Sequence, residues 1–320
     1  MFLFRDTSAF VKDGIPCYNE ENRWMKKEQV MSNFLMKPKI DFAFKEIMMN
    51  NEARLGFLSA VLKLNPKEIK DTKILNTNLR KMHKDDKQGI LDVRILMNND
   101  VEIDIEIQLS ELKVWADRSL FYLSKMYVEQ IEEGQQYDVF KRCVSISILD
   151  FTLFHDTDEF YSCFHLREDT RHTLYTDKME FHVLELSKLP KELKEDTSDI
   201  LLWAKFISAE REEEFDMLAT KNPYIKSAYE QLQVISQDKQ KRLEYEAREK
   251  AIRDHNQMMY EAEQRGEERG MQRGMQIGEY EKAISIARNL LAFGIAPDII
   301  VKTTKLSLEQ IEKLQQEDGI

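Results

Sequence analysis

The alternation of apolar and polar residues is clearest between residues 101 and 109. Valine, isoleucine or leucine occupies every second position there, and acidic or amide residues occupy the positions between them. A period of two places the two sets on opposite faces of an extended chain, which predicts a strand. Residues 89–97 predict another strand, and Asn98, Asn99 and Asp100 between the two have turn chemistry. The pattern therefore predicts a hairpin.

The remaining apolar spacing predicts helices and strands in alternation. A period near 3.6 predicts a helix over residues 39–63, with Pro38 near its first turn and a break at Asn50-Asn51. A second helix is predicted over residues 111–133, ending before Gly134 as a C′ glycine. Further strands are predicted over residues 69–79, 139–151, 159–167 and 179–187, the last two forming a hairpin.

After Pro190 the pattern is helical only. The sequence therefore predicts an α/β fold, a mixed sheet flanked by helices, followed by an extended all-helical C-terminal region. The predicted divisions are a poorly ordered extension over 1–35, a core over 36–190, a helical region over 191–263, and a glycine-repeat helix with a C-terminal helical hairpin over 264–320.

Glycine recurs at every fourth residue in one stretch, at Gly266, Gly270, Gly274 and Gly278. This spacing permits close approach of a second helix and hence a homo-oligomer through the C-terminal helices. A flexible linker with exposed arginines is the equal alternative. Farther on, Gly294 is predicted to end a helix, Pro297 to open a short one, and Ser307 to form a capping box with Gln310.

Composition narrows the function classes. The apolar fraction of 42 % supports a packed core, and a net charge of −11 argues against a protein that coats nucleic acid non-specifically. The three cysteines have no paired spacing, and no apolar run approaches a membrane span, so we expect a cytoplasmic protein without disulfides. His155, Cys163, His165 and His172 fit no zinc spacing, and surface or hairpin positions are expected for them.

The predicted hairpin carries the candidate chemistry. A turn centred on Asn99 places Asp92 across from Glu106, with Cβ atoms about 4.5–5.5 Å apart. Two carboxylates at that separation repel each other unless a cation lies between them, and Mg²⁺ prefers such oxygen ligands. The alternative is a solvated sheet face, in which Arg94 pairs with Asp104 and Lys45 pairs with Asp41.

The order of these motifs resembles the PD-(D/E)XK nucleases, and specifically the nuclease-family transposases, also described as recombination-promoting nucleases. Asp92 matches the first acid, Glu106 the second, and Gln108 stands where lysine is usual. The matching segments are Asp41-Phe42-Ala43-Phe44-Lys45, Ile105-Glu106-Ile107-Gln108, Arg118 with Tyr122, Phe181-His182, Glu185-Leu186 and the glycine-repeat helices, over roughly residues 36–315.

The resemblance implies a restriction-endonuclease-like core and Mg²⁺- or Mn²⁺-dependent DNA endonuclease chemistry in recombination or transposition, without an organic cofactor. Asp92 and Glu106 would hold the metal, with the Ile107 carbonyl and Asp41 as further ligands. Gln108 would position the water or the phosphate, and Lys45 would supply a positive charge. DNA phosphates would meet Arg80, Lys81, Lys84, Lys87, Arg118 and Tyr122.

Different functions remain open from the sequence. A catalytically weak or inactive relative would act as a DNA-binding or oligomeric interaction protein. A nuclease for RNA is a third alternative. A solubilising role for the loop at residues 80–87, and simple packing of Tyr122 beside a solvated Arg118, are the structural alternatives for the proposed DNA contacts.

Overall fold

The computed structural model describes residues 34–79 and 90–318. The predicted extension thus lies outside the described residues except at its end, and its order stays a prediction. The chain forms two compact units, which meet between Glu249 and Lys250 in the sequence. The predicted division into four segments stays a prediction.

A six-stranded mixed sheet forms the centre of the first unit. The strands are β1 (Thr72–Ile74), β2 (Val93–Met97), β3 (Val101–Gln108), β4 (Arg142–Leu149), β5 (Tyr161–Arg167) and β6 (Leu174–Glu185). Their order is β1-β2-β3-β4-β6-β5, parallel from β3 to β4 and from β4 to β6, and antiparallel elsewhere. The α/β prediction is confirmed, although β1 is shorter than the predicted strand over 69–79.

The hairpin of β2 and β3 has the predicted register. Val93 pairs with Ile105, and the last pair before the turn is Met97 with Val101. Asn98 and Asn99 both have positive φ, 54° and 58°, which asparagine tolerates better than most residues. The turn thus fixes which residues of the two strands face each other. The same register, continued by one residue beyond Val93, places Asp92 opposite Glu106.

Two helices precede the sheet, α1 (Asp41–Met48) and α2 (Asn51–Leu62). The predicted break is confirmed because Asn50 caps α2, its side chain accepting from the N–H groups of Glu52 and Ala53. The prediction for Pro38 is wrong. Helix α1 begins only at Asp41, after a turn in which Ile40 N–H donates to the carbonyl of Lys37.

Helix α3 (Trp115–Val128) is shorter than predicted. Gly134 does have a positive φ, 85°, but it lies in the turn after the helix and does not cap it. The helix stops early because the next residues are held by β4. The side chain of Gln130 accepts from the N–H of Lys141 at 2.6 Å and donates to Cys143 Sγ at 2.8 Å.

Helices α4 (Asp199–Ser208), α5 (Glu212–Lys221) and α6 (Pro223–Gln237) complete the first unit. Their aromatic side chains form a buried chain of edge contacts from Phe57 through Trp203 and Phe206 to Phe215. Because these rings reach α2, the helices that follow the sheet are part of the same core.

Helix α7 (Lys239–Ala292) runs through the glycine stretch without a break. Residues 253–282 are all exposed, and a Cβ added at Gly266, Gly270, Gly274 or Gly278 would meet nothing within 4 Å. The homo-oligomer through these helices stays a prediction.

The second unit ends in a small helical cluster. Helices α8 (Pro297–Thr304) and α9 (Leu308–Asp318) pack with the end of α7 around Leu291, Ile300 and Ile311. The predicted capping box is confirmed: Ser307 N–H donates to Gln310 Oε1 at 2.8 Å, and Gln310 N–H donates to Ser307 Oγ at 3.2 Å. Within the described ranges, no helix is both long enough and apolar enough to cross a membrane.

Candidate active site

Asp92 and Glu106 are joined through each other's backbone. Asp92 N–H donates to Glu106 Oε1 at 3.1 Å, and Ile107 N–H donates to Asp92 Oδ2 at 3.0 Å. Strand β2 begins only at Val93, so these two bonds continue the pairing of the hairpin by one residue through side chains. We call this arrangement the carboxylate bracket. It holds both acids in fixed positions at the end of the strand pairing.

The acidic face of the sheet is covered by protein. Glu102, Asp104 and Glu106 are 6 %, 1 % and 4 % exposed. Helix α3 lies over them, and its apolar residues Tyr122 and Leu123 pack in one cluster with β4 and β6 side chains. The solvated-face alternative is therefore wrong, and three carboxylates sit in a low-dielectric environment.

Arg118 reaches the bracket from α3. Its guanidinium lies over the rings of Trp115 and Tyr122, at 5.5 Å and 5.2 Å from their centroids. One of its terminal nitrogens is 3.8 Å from Glu106 Oε2. The aromatic rings thus orient a cation toward the acid, and both Arg118 and Tyr122 lie beside the candidate site.

Burial strongly favours the protonated acids. It raises the pKa of Asp92 to about 6, against an opposing hydrogen bond from Ile107 N–H. It raises the pKa of Glu106 to about 10, to which the neighbouring charges of Asp104 and Asp92 contribute. Paired acids with such shifts are typical of functional sites, where a bound cation or a proton balances the charge.

Asp104 has no hydrogen-bond partner among the described residues, and neither has Ser145 Oγ, which lies across from it on β4. Arg94 does face Asp104 in the register, but its guanidinium pairs with Glu102 and with Glu129. The predicted Arg94–Asp104 pair is therefore absent. Burial, together with the charge of Asp92, raises the pKa of Asp104 well above its ordinary value.

The proposed ligands on α1 are less closely placed. Arg248 Nε, from α7, donates to Asp41 Oδ2 at 2.6 Å. Asp41 therefore pairs with Arg248, and the alternative pairing with Lys45 is wrong. Asp41 still raises the pKa of Asp92 through its charge, but it does not join Asp92 and Glu106 as a third close ligand. Lys45 lies one turn farther along α1, half-buried.

Gln108 is half-buried at the end of β3, two residues after Glu106. Its side-chain N–H donates to the Ser110 carbonyl at 3.0 Å, so its amide is held locally. Arg80, Lys81, Lys84 and Lys87 lie outside the described residues, and their predicted contacts with DNA stay a prediction.

The family model described as PD-(D/E)XK nuclease family transposase matches residues 38–262. The chain belongs to this family. The match includes the sheet, the carboxylate bracket and the helices through Arg248. No curated protein and no solved structure matches the chain.

The PD-(D/E)XK family implies a divalent metal, and the side chains of the bracket fit one. Asp92 and Glu106 offer carboxylate oxygens, and the Ile107 carbonyl is a third oxygen of the same strand end. Asp104 adds a buried carboxylate without a hydrogen-bond partner in the described part of the chain. Several carboxylate oxygens without enough positive charge to balance them suit a hard cation such as Mg²⁺ or Mn²⁺.

Two features of this PD-(D/E)XK site escaped the sequence prediction. One is the pair of hydrogen bonds that forms the bracket. The strand register predicts which side chains lie opposite each other, but it does not predict their hydrogen bonds to backbone N–H groups. The other is Arg248, which binds Asp41 from more than 200 residues away. No local pattern signals that contact, because it depends on how α7 packs against α1.

Replacing Asp104 by asparagine is expected to make stability less sensitive to pH. A buried acid with a raised pKa stabilises the fold fully only below its ordinary pKa, and that contribution is lost as pH rises toward the folded-state value. We therefore expect the metal-free wild type to lose stability as pH rises above the ordinary carboxyl range into the alkaline range.

The measurement is urea unfolding across this range. Asp104→Asn should show a shallower decline, and Asp100→Asn, at the exposed hairpin turn, should follow the wild type. Equal slopes for Asp104→Asn and wild type would contradict the assignment of a buried, protonated Asp104.

Proposed function

We propose that this chain is a divalent-metal-dependent DNA endonuclease that hydrolyses phosphodiester bonds in a recombination or transposase-like reaction. The carboxylate bracket carries the proposal. Its two hydrogen bonds, at 3.0 Å and 3.1 Å, hold the half-buried Asp92 and the buried Glu106 side by side, an arrangement of two acids that a bound cation would stabilise.

The bracket residues would share the metal. Asp92 and Glu106 would contribute carboxylate oxygens and the Ile107 carbonyl a third, and Asp41 would join them only if it left Arg248. Bound Mg²⁺ or Mn²⁺ supplies polarisation of the phosphate and a lowered pKa of water. Gln108, by turning from Ser110, would orient the water or a phosphate oxygen.

The basic residues around the bracket would hold the DNA. Arg118 is 36 % exposed at its side chain, so its guanidinium is accessible to a phosphate as well as to Glu106. The Arg118 guanidinium lies over the Tyr122 ring, and Lys45 lies one turn after Asp41 in α1. In the sequence, Arg80, Lys81, Lys84 and Lys87 come shortly before the hairpin. A local basic rim of this kind is compatible with a net charge of −11.

The deciding experiment is cleavage of supercoiled plasmid by the full chain with Mg²⁺ or Mn²⁺. We expect nicking that disappears with EDTA and in Asp92→Asn, while Asp100→Asn, which removes an exposed carboxylate of the same hairpin, cleaves like wild type. Well-folded wild type that cleaves with neither metal, or an Asp92→Asn protein that cleaves normally, would overturn the proposal.

A second candidate is a catalytically weak or inactive relative that binds DNA or assembles with itself. The observation favouring it is the Gln108 amide, which is neutral and is bonded to the Ser110 carbonyl. Under this alternative the full chain shifts DNA in a gel with equal affinity in wild type and Asp92→Asn, but cleaves it in neither.

A further inference from the structure

A second group of metal-ligating side chains lies across strands β5 and β6. Cys163 pairs with His182 in the register, and His165 pairs with Glu180. Two residues along a strand share one face, so all four side chains are on the same face. It is the face opposite Glu106, because Glu180 and His182 alternate with Phe181, which packs under α3.

The ligand atoms of three of these residues converge. Cys163 Sγ is 3.6 Å from Glu180 Oε1, and His182 Nε2 is 2.8 Å from the same oxygen. Among the described residues, Cys163, Glu180 and His182 are the one group of three whose ligand atoms all lie within 4.8 Å of one another. The second carboxylate oxygen of Glu180 pairs with Arg142, which leaves Oε1 for the group.

His182 Nδ1 faces Tyr161, which leaves Nε2 for the group. Tyr161 Oη lies 2.8 Å from His182 Nδ1 and 3.3 Å from the Val61 carbonyl, to which it can also donate. When Tyr161 donates to Val61, a neutral His182 has its proton on Nδ1 and presents the Nε2 lone pair to the group. Nε2 is buried in a side chain 2 % exposed and has no properly directed hydrogen bond within the described chain.

His182 Nε2 and Glu180 Oε1, 2.8 Å apart, can share a proton or bind one metal ion. We infer that Cys163, Glu180 and His182 form a second metal site, for Zn²⁺. A thiolate, an imidazole and a carboxylate are the donors that Zn²⁺ takes, whereas Mg²⁺ takes oxygen. The Tyr161 hydroxyl contacts the other ring nitrogen of His182, the position that the outer partners of metal-bound histidines occupy.

The distances suit tetrahedral coordination. With metal–sulfur and metal–oxygen bonds of about 2.3 Å and 2.0 Å, sulfur and oxygen are roughly 3.5 Å apart, close to the observed 3.6 Å. Nitrogen and oxygen would be roughly 3.3 Å apart, so the His182 ring moves outward by about half an ångström. Cys163 is exposed, which gives the ion a path from solvent, and His165 or water completes the coordination.

Cobalt is the probe, because Co²⁺ in a tetrahedral thiolate site absorbs visibly and shows a sulfur-to-cobalt band in the near ultraviolet. We expect the metal-free full chain to bind one equivalent of Co²⁺ with this band, and one equivalent of Zn²⁺ to remove it. Cys163→Ser should abolish the band although Cys17 and Cys143 remain. Tyr161→Phe should weaken binding by about 10- to 100-fold.

Matched variants separate this site from the carboxylate bracket. His155→Gln removes an exposed imidazole elsewhere and should leave the band intact. Asp92→Asn should also leave it intact, because the carboxylate bracket offers only oxygen ligands and gives no sulfur-to-cobalt band. Folded wild type without a sulfur-to-cobalt band, or a band that persists in Cys163→Ser, would overturn the inference, whatever the result of the plasmid assay.

Discussion

Glu106→Gln is expected to lower DNA cleavage at least about 100-fold, since even partners that only orient metal ligands are worth about 10- to 100-fold. The same change should leave the metal-free protein at least as stable as wild type at about pH 8. Cleavage falls while stability does not, because burial raises the pKa of Glu106 to about 10 and the acid is therefore already neutral in the metal-free fold. Glutamine keeps the oxygen that accepts from Asp92 N–H.

Plasmid cleavage and thermal unfolding of the same preparations measure both effects. Glu133→Gln, an exposed carboxylate after α3, is the matched control and should change neither. Normal cleavage by Glu106→Gln would exclude Glu106 as a ligand. A large loss of stability would instead show that the carboxylate is needed as an anion by the fold.

Gly56→Ala is expected to destabilise the first unit by about 3 kcal/mol, the upper part of the usual range for overpacking. Gly56 lies in α2, where a Cβ would overlap the Tyr224 side chain of α6 and lie 3.2 Å from Trp203 Cζ2. Neither neighbour can retreat, because Trp203 is fully buried and Tyr224 follows Pro223 in the first turn of α6.

The matched control is Gly266→Ala, the same change in α7 where a Cβ meets nothing. There the gain in helix propensity, about 1 kcal/mol, should stabilise the helix. Urea unfolding followed by circular dichroism measures both variants. A Gly56→Ala protein as stable as wild type would mean that α2 and α6 do not approach each other this closely.

The hairpin shows what the sequence alone can predict. Strict alternation over β3 and asparagines at the turn determine the register, and the register places Asp92 against Glu106. These are local signals, since turn chemistry and strand period act within about 20 residues. The Ser307 capping box is predictable for the same reason.

The burial of the acidic face could not be predicted in this way. Alternating acids on a strand are typical of a solvated surface, and only the packing of α3 buries them and raises their pKa values. The same limit applies to Cys163 and His182. They are 19 positions apart in sequence, and the β5–β6 pairing has irregular register after His165, so their meeting depends on tertiary structure.

The carboxylate bracket would allow an evolving lineage to lose activity without a change of fold. Each of its hydrogen bonds uses one oxygen of the acid, and asparagine or glutamine presents that oxygen equally well. A lineage could therefore exchange both acids for amides and retain its backbone unchanged. Active and inactive descendants of one ancestor would then have superimposable backbones. They would differ only in whether one side-chain atom at each of the two positions is oxygen or nitrogen, which a comparison of backbone shape does not detect.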